Sequence, residues 1–328
     1  MESTLDLLRH QGGRLLRGLS RAAMQFVPPL ADLVPLAPPA LRPSGADTII
    51  APVPDIVIAN PGNLILHTHV PAGLANRAPL VVLLHGCGQD PESFADDTGW
   101  RALADRLGFV LLMPGQSDDN NSQRCFNWFR PGDNERDRGE AASIAAMTRA
   151  TLAQYRCDPA RVFVTGLSAG GAMTACLLAA YPDLYAAGAV VAGLPAGAAR
   201  NVLGPMSRMA GRGRQLSPVQ WTARARAMAP PGFAGRWPSL SIWRGSADPV
   251  VAPLNATLLA EQWTGLLGIE LAPTQTVVHP GVTCDSWGQP KASVQLWTIA
   301  DAGHVYPVGE DQGVSAAAEI AKFWGIAG

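Results

Sequence analysis

Arg161-Val-Phe-Val-Thr-Gly166-Leu-Ser168-Ala-Gly170-Gly-Ala-Met173 decides the reading of this chain, because it sets one serine between an apolar β-branched run and a run of helix formers. This is the pattern of a nucleophile elbow. Gly166 and Gly170 remove Cβ atoms where a strand must turn sharply into a helix, leaving the Ser168 hydroxyl clear of the backbone at the helix N-terminus. The five-residue pattern is common by chance, so its surroundings carry the argument. A short strand-like run precedes it, Ala172 to Ala180 is rich in helix formers, and Tyr181-Pro182 supplies a stop.

Working outward, the chain from about residue 53 alternates strand and helix signals. Asp55 to Asn60 and Asn63 to Val70 read as a hairpin joined through Pro61-Gly62, Leu80 to Leu84 as a buried strand, Thr98 to Leu107 as a helix, and Phe109 to Met113 as a second buried strand. Helix Glu140 to Tyr155 leads to the elbow strand. Beyond the elbow helix come Ala189 to Ala192, Ser239 to Trp243 and Val294 to Ile299 as strands and Ala316 to Phe323 as a closing helix. This alternation predicts an α/β fold with a mostly parallel sheet and helices on both faces. Residues 194–236, rich in Gly, Pro and Arg, interrupt it and are expected to form a small cap insertion.

With 328 residues and 48% hydrophobic content, the chain can bury one large core, so residues 53–328 are read as a single catalytic domain. Residues 1–52 read separately. Leu5, Leu8, Leu15, Leu19, Ala22 and Phe26 fall near helical spacing, with Arg9, Arg14, Arg17 and Arg21 largely elsewhere around the axis, and a proline-rich linker follows. This is a basic amphipathic helix over 1–26. It serves either as an anchor on an apolar or anionic surface, or as a helix packed on the domain or a tail weakened by Gly12-Gly13.

The net charge of -1 and the scattered arginines give no basic face interleaved with aromatics, which argues against nucleic-acid binding. No stretch of 18 apolar residues predicts a bilayer span. Glu2 and Asp6 precede any arginine and prolines break the apolar stretch Phe26 to Leu41, so no secretory signal is read, and a cytoplasmic or granule-surface location is expected over an extracellular one. Five cysteines, at 87, 125, 157, 176 and 284, are too few and too irregular for a disulfide scaffold and lack zinc-site spacing. No cofactor is expected.

A serine hydroxyl is too weak an acid to attack an ester unaided. A base must take its proton, and a third group must orient and charge-stabilise that base. The chain supplies these in the order Ser, acid, His: Asp248 just past strand 239–243, and His304 past strand 294–299. His279 is the alternative base, following a strand-like run before Pro280. Asp301 lies too close in sequence to His304 to be the preferred orienting acid. His67 and His69, two apart on one strand face, have the spacing of a metal pair but no evident third ligand, so a solvated strand face is the preferred reading.

Charge developing on the attacked carbonyl oxygen needs preorganised donors, each worth about 3 kcal/mol. The N–H of Ala169, directly after the nucleophile, is one. The other is expected from the loop His85-Gly86-Cys87-Gly88-Gln89, with Cys87 N–H as the donor and Gln89 as a candidate substrate contact. The same loop fails as a dinucleotide fingerprint, since position 91 is proline rather than the third glycine.

Together, Leu84-His-Gly-Cys-Gly-Gln89, Cys125-Phe-Asn-Trp-Phe129, Gly139-Glu140, Val164 to Thr174, Gly193-Leu-Pro-Ala-Gly197 and Gly303-His304 resemble the catalytic domain of poly(3-hydroxybutyrate) depolymerase family esterases over about residues 53–327. The resemblance implies an α/β-hydrolase fold and a serine carboxylesterase acting through an acyl-enzyme. It further implies Ser168 as nucleophile, Asp248 as acid, His304 as base, Cys87 as an oxyanion-hole contributor, and a Cys87–Cys125 disulfide. Trp128 is expected to line the acyl cleft, with a core position as its alternative. Many secreted members carry a signal peptide and a polymer-binding module that are not seen here, so the basic N-terminal helix is expected to direct the protein to an amorphous polyester granule instead. The expected substrate is a 3-hydroxyalkanoate polyester or oligomer. A carbohydrate acyl ester of the feruloyl or acetyl-xylan type is the runner-up, an acyltransferase is less favoured, and a non-catalytic hydrolase-fold binding protein is the contrasting class.

Overall fold

Among the described residues, four strands are buried along their whole length and a fifth nearly so, and that dictates the architecture. The structure, a computed structural model, describes residues 58–199, 204–213, 215–289, 292–309 and 313–327, all within the unit spanning Val53–Gly328. The amphipathic helix over 1–26, the linker after it, and positions 55–57 of the first expected strand lie outside the described residues.

In chain order the elements are β1 (Ile65–His69), β2 (Leu80–Leu84), α1 (Pro91–Asp97), α2 (Trp100–Leu107), β3 (Val110–Gly115), α3 (Pro131–Asn134), α4 (Gly139–Gln154), β4 (Val162–Leu167), α5 (Ala169–Ala180) and β5 (Ala187–Val191). They continue with α6 (Pro205–Met209), α7 (Pro218–Arg226), β6 (Ser239–Gly245), α8 (Leu254–Leu267), β7 (Gln275–His279), β8 (Val282–Gln289), β9 (Ala292–Ile299), a short pair β10 (Val308–Gly309) and β11 (Val314–Ser315), and α9 (Ala316–Phe323). Nine strands form one sheet in the order β1-β3-β2-β4-β5-β6-β9-β8-β7. It is parallel from β3 through β9, with β1 antiparallel at one edge and β8 and β7 antiparallel at the other.

A strand covered on both faces has no polar side to show, so it reads as a continuous apolar run. β2 illustrates this. Leu80, Val82 and Leu84 enter the core on one face, beside Ile144, Met173 and Trp263, while Val81 and Leu83 enter the core on the other, beside Phe94, Trp100 and Ile320. Helices on both sides of a mostly parallel sheet make this the α/β-hydrolase fold. No helix among the described residues is long and apolar enough to cross a membrane.

The expected hairpin before β2 is corrected. Ile58 to Asn60 makes no strand, and β1 pairs instead with β3, Ile65 opposite Gly115 and His69 opposite Leu111. The cause is local: the Asn60 side chain spends both its groups on Leu64, accepting its N–H at 3.0 Å and donating to its carbonyl at 2.8 Å, which closes a turn instead of a ladder. Helix Thr98 to Leu107 begins two residues later than read, with Gly99 at φ 78° ahead of it, and is preceded by α1, which the sequence reading passed over.

Within 194–236 the described residues form α6 and α7. Gln262 of α8 donates to the carbonyls of Ala196 and Trp221, tying this insertion to the helix behind the sheet. Ala252 N–H donates to the Met209 carbonyl at 2.7 Å, tying α6 to the loop that follows β6.

Candidate active site

Ser168 stands between β4 and α5 at φ 56°, ψ −116°, a backbone state that L-residues avoid and that costs about 1–3 kcal/mol. The surroundings hold it there. Ser168 N–H donates to the Val191 carbonyl of the neighbouring strand at 2.9 Å, and α5 begins at once with Ala169. Gly170 explains why the turn can be so tight: a Cβ at this position would lie 2.3 Å from the Leu84 carbonyl oxygen and 2.5 Å from that of His85. Only a residue without a side chain lets α5 press onto the end of β2. The Ala169 amide lies in the first turn of α5, where helix N–H groups have no intrahelical acceptor.

Asp248 follows β6 and is buried, its side chain 1% exposed. Its Oδ1 accepts the N–H groups of Val250 and Val251, both at 2.8 Å, and its Oδ2 lies 2.7 Å from His304 Nδ1. With Nδ1–H donating to the carboxylate, the imidazole can exchange a proton only at Nε2, the atom a general base uses. The histidine loop is pinned to the acid loop by Ser246 N–H to the Ile299 carbonyl at 2.9 Å and Ala247 N–H to the Ala302 carbonyl at 3.0 Å. Two residues on, the buried Tyr306 hydroxyl accepts from Trp100 Nε1 at 2.7 Å and anchors the loop on the far face of the sheet.

The register sets the three loops at one level. Leu167 pairs with Val191, Val191 with Trp243 and Trp243 with Trp297 along β4, β5, β6 and β9. Ser168, Asp248 and His304 therefore leave the carboxyl edge of β4, β6 and β9 within one parallel block, where open α/β sheets bind their ligands.

The rival residues have other employment. His279 ends the edge strand β7, exposed and opposite Val282 across the β7–β8 turn. Asp301 is exposed at φ 56°, and its N–H donates to Ser246 Oγ at 2.9 Å, which makes it a turn residue. His67 lies 3.5 Å from Glu92, and His69 lies 2.7 Å from Asp105 with Arg101 at its other nitrogen. Among the described residues no cluster of three or more His, Cys, Asp or Glu is arranged to hold a metal.

The loop after β2 is fixed from several sides. Gly86 N–H donates to Gln89 Oε1 at 2.8 Å, Gly88 N–H to the Gln123 carbonyl at 2.8 Å, and His85 Nδ1–H to the Gly86 carbonyl at 2.8 Å. Cys87 is disulfide-bonded to Cys125. Gln89 uses its carbonyl oxygen to brace the loop.

Of the two positions expected for Trp128, acyl cleft or core, the structure shows the core. It is 4% exposed and packs in the core edge-on to Phe129, because Asn134 Nδ2 binds its carbonyl and Cys176 lies beneath it.

Below the loop lies a polar network whose role no motif in the sequence states. The Glu140 carboxylate accepts Gln116 Nε2–H at 2.6 Å, Asn127 Nδ2–H at 2.6 Å and Asn127 N–H at 2.7 Å. Gln116 also donates to the Cys125 carbonyl at 3.1 Å, and its backbone N–H donates to His85 Nε2 at 3.1 Å. Burial pushes the Glu140 carboxyl up to about 7 despite these donors, with Asp133 adding to the rise. Burial lowers the pKa of His85, and its hydrogen bonds fix it as the neutral Nδ1–H tautomer. The signal for Glu140 is the Gly139-Glu140 pair already among the resembling motifs, an acid in the first turn of a helix where burial follows.

Comparison with known proteins agrees with this geometry. The family model for esterase PHB depolymerase matches residues 64–277. Poly(3-hydroxyalkanoate) depolymerase C of Paucimonas lemoignei is 40% identical over 78% of this chain, which spans 62% of that protein's length. Feruloyl esterase B of Neurospora crassa is 34% identical over 82% of this chain and 90% of its own. Among solved structures, the acetyl xylan esterase from Aspergillus awamori superimposes with a TM-score of 0.74 at 27% identity, covering 82% of this chain and 96% of that one. The elbow, the bound pair of acid and imidazole and the braced loop are thus those of a chain that belongs to the PHB depolymerase esterase family.

Proposed function

We propose that the protein is a serine carboxylesterase that hydrolyses 3-hydroxyalkanoate polyesters or their oligomers through an acyl-enzyme. The observation that carries the chemistry is the 2.7 Å hydrogen bond from His304 to Asp248, set at the same sheet edge as the strained Ser168. In this reading Ser168 Oγ attacks the ester carbonyl carbon while His304 Nε2 takes its proton. The resulting oxyanion is met by the N–H groups of Cys87 and Ala169, and Asp248 balances the imidazolium. Collapse expels the alkoxide, which recovers the proton from His304. Water then enters, loses a proton to His304 and attacks the acyl carbon, returning Ser168 and free acid.

The polyester substrate rests on the 40% identity to a protein named for acting on poly(3-hydroxyalkanoate). A second reading, a carbohydrate acyl esterase, is supported by relatives named feruloyl esterase B and acetylxylan esterase, the latter from Coprinopsis cinerea at 33% identity. One preparation offered polyhydroxybutyrate emulsion, hydroxybutyrate dimers and trimers, and a feruloylated sugar separates them. Cleavage of the hydroxybutyrate esters is expected, and cleavage of the feruloyl ester alone would overturn the substrate while sparing the mechanism. For location we propose association with a polyester granule, resting on the basic amphipathic pattern of residues 1–26. Unchanged granule association after deletion of residues 1–45 would refute it.

A further inference from the structure

We propose that Glu140 is a positioning residue for the oxyanion pocket, its ionised carboxylate setting the Cys87 N–H through two separate routes. This rests on the esterase reading above.

One route is covalent. Asn127 gives Glu140 both its backbone and side-chain N–H, which fixes the strand of chain carrying Cys125, and the disulfide passes that position to Cys87. The other route is through hydrogen bonds. Glu140 orients the Gln116 side chain, the Gln116 backbone N–H binds His85 Nε2, and His85 Nδ1–H holds the Gly86 carbonyl, whose peptide bond leads into Cys87. The two routes meet on one residue that touches neither Ser168 nor His304.

Oε1 takes two of the three N–H donors and Oε2 the third, so a proton has room only on the remaining lone pair of Oε2. A proton there finds no acceptor among the described residues and turns Oε2 from a charged into a neutral acceptor, which weakens its hold on Asn127 N–H. The charged groups around it are Asp133 of α3, with Arg130 beside that aspartate, and the neutral His85 on the far side of Gln116. With Glu140 raised to about 7, its ionisation falls in the working range of an esterase.

The experiment measures kcat and KM of the full chain for p-nitrophenyl acetate and a hydroxybutyrate dimer between pH 5 and 7, with thermal midpoints alongside. In the wild type Glu140 must be ionised for full turnover, so log kcat rises with pH more steeply than in Glu140→Gln, which has no proton to lose there. Equal slopes in the two overturn the proposal. Glu140→Gln places an amide against those donors; a 10- to 100-fold fall in kcat, KM within about threefold, and a shallower slope are expected. Ser143→Ala is the control. It removes the hydroxyl on the same helix that accepts Gly62 N–H at 2.8 Å, and should lower the thermal midpoint with kcat and slope unchanged. If Glu140→Gln keeps kcat within twofold, or if both variants lose kcat in step with stability, Glu140 is merely structural. Absence of hydrolysis by the wild type would instead sink the esterase reading, and this inference with it.

Discussion

His304 meets Asp248 through a carboxylate that is already half engaged: Oδ2 takes Nδ1–H at 2.7 Å, while Oδ1 is committed to the amides of Val250 and Val251. That division dictates what an isosteric amide would do. In Asp248→Asn the carbonyl oxygen stays with the two backbone donors and the NH2 turns to His304, forcing Nδ1 to accept and Nε2 to carry the proton. The base is then blocked with the fold intact. A fall in kcat of about 10⁴-fold with an unchanged unfolding midpoint is expected, checked by ester hydrolysis and thermal melting.

Ser168→Ala should abolish acyl-enzyme formation. Turnover is expected to fall by about 10⁴- to 10⁶-fold, with His304→Ala close to it because the three groups act as a unit. A severe effect at His279 with a mild one at His304 would transfer the base role to β7.

Gly170→Ala asks for room that does not exist. Its Cβ would meet two backbone carbonyl oxygens within 2.5 Å, and backbone cannot step aside as a flexible side chain can. Destabilisation of at least about 1–3 kcal/mol is expected, measured by denaturant unfolding, with activity reduced even where folding survives.

The disulfide closes a loop with a sequence separation of 38. In the chain-entropy account this is worth about 3–4 kcal/mol. Cys125→Ser, or reduction of the wild type, should lower the melting temperature and depress kcat more than it raises KM, since the loop it anchors carries the proposed oxyanion donor.

Glu140 predicts a stability trend opposite in sign to its effect on catalysis. Its ordinary carboxyl value of 4.5 is raised to about 7 by burial, so between these values the folded chain holds a proton that the unfolded chain has lost. Stability from this group therefore falls as pH rises from about 4.5 to 7. Urea midpoints compared between wild type and Glu140→Gln should show the wild type gaining relative stability as pH drops from 7 to 5.

Much of the sheet was legible because burial on both faces writes itself as unbroken apolar runs. Leu80 to Leu84 and Ala316 to Phe323 match β2 and α9 residue for residue. The turn chemistry around Ser168 was equally readable, since it needs small residues at fixed offsets. What escaped was structure held by polar groups in the interior. α8 buries Asn255, Gln262 and Thr264 on the same helix as Leu259 and Trp263, which blurs the apolar period that announces a helix. β8 mixes Thr283, Asp285 and Ser286 among its apolar residues and declares itself only through pairing with β9. Trp128, left open between the acyl cleft and the core, takes the core position, because a motif names residues that stay together without saying which hold the frame.

Every residue of α5 is buried, from Ala169 to Ala180. A helix enclosed on all sides cannot fray or breathe by itself, so its amides should exchange with solvent only when the whole molecule opens. Ser168, the proposed nucleophile, is thus mounted on a fully enclosed helix, whereas His304 sits on a partly exposed rim loop. Warming should consequently dislodge the imidazole before it disturbs the hydroxyl, and heat inactivation should begin as a reversible loss of the proton carrier while the serine is still seated.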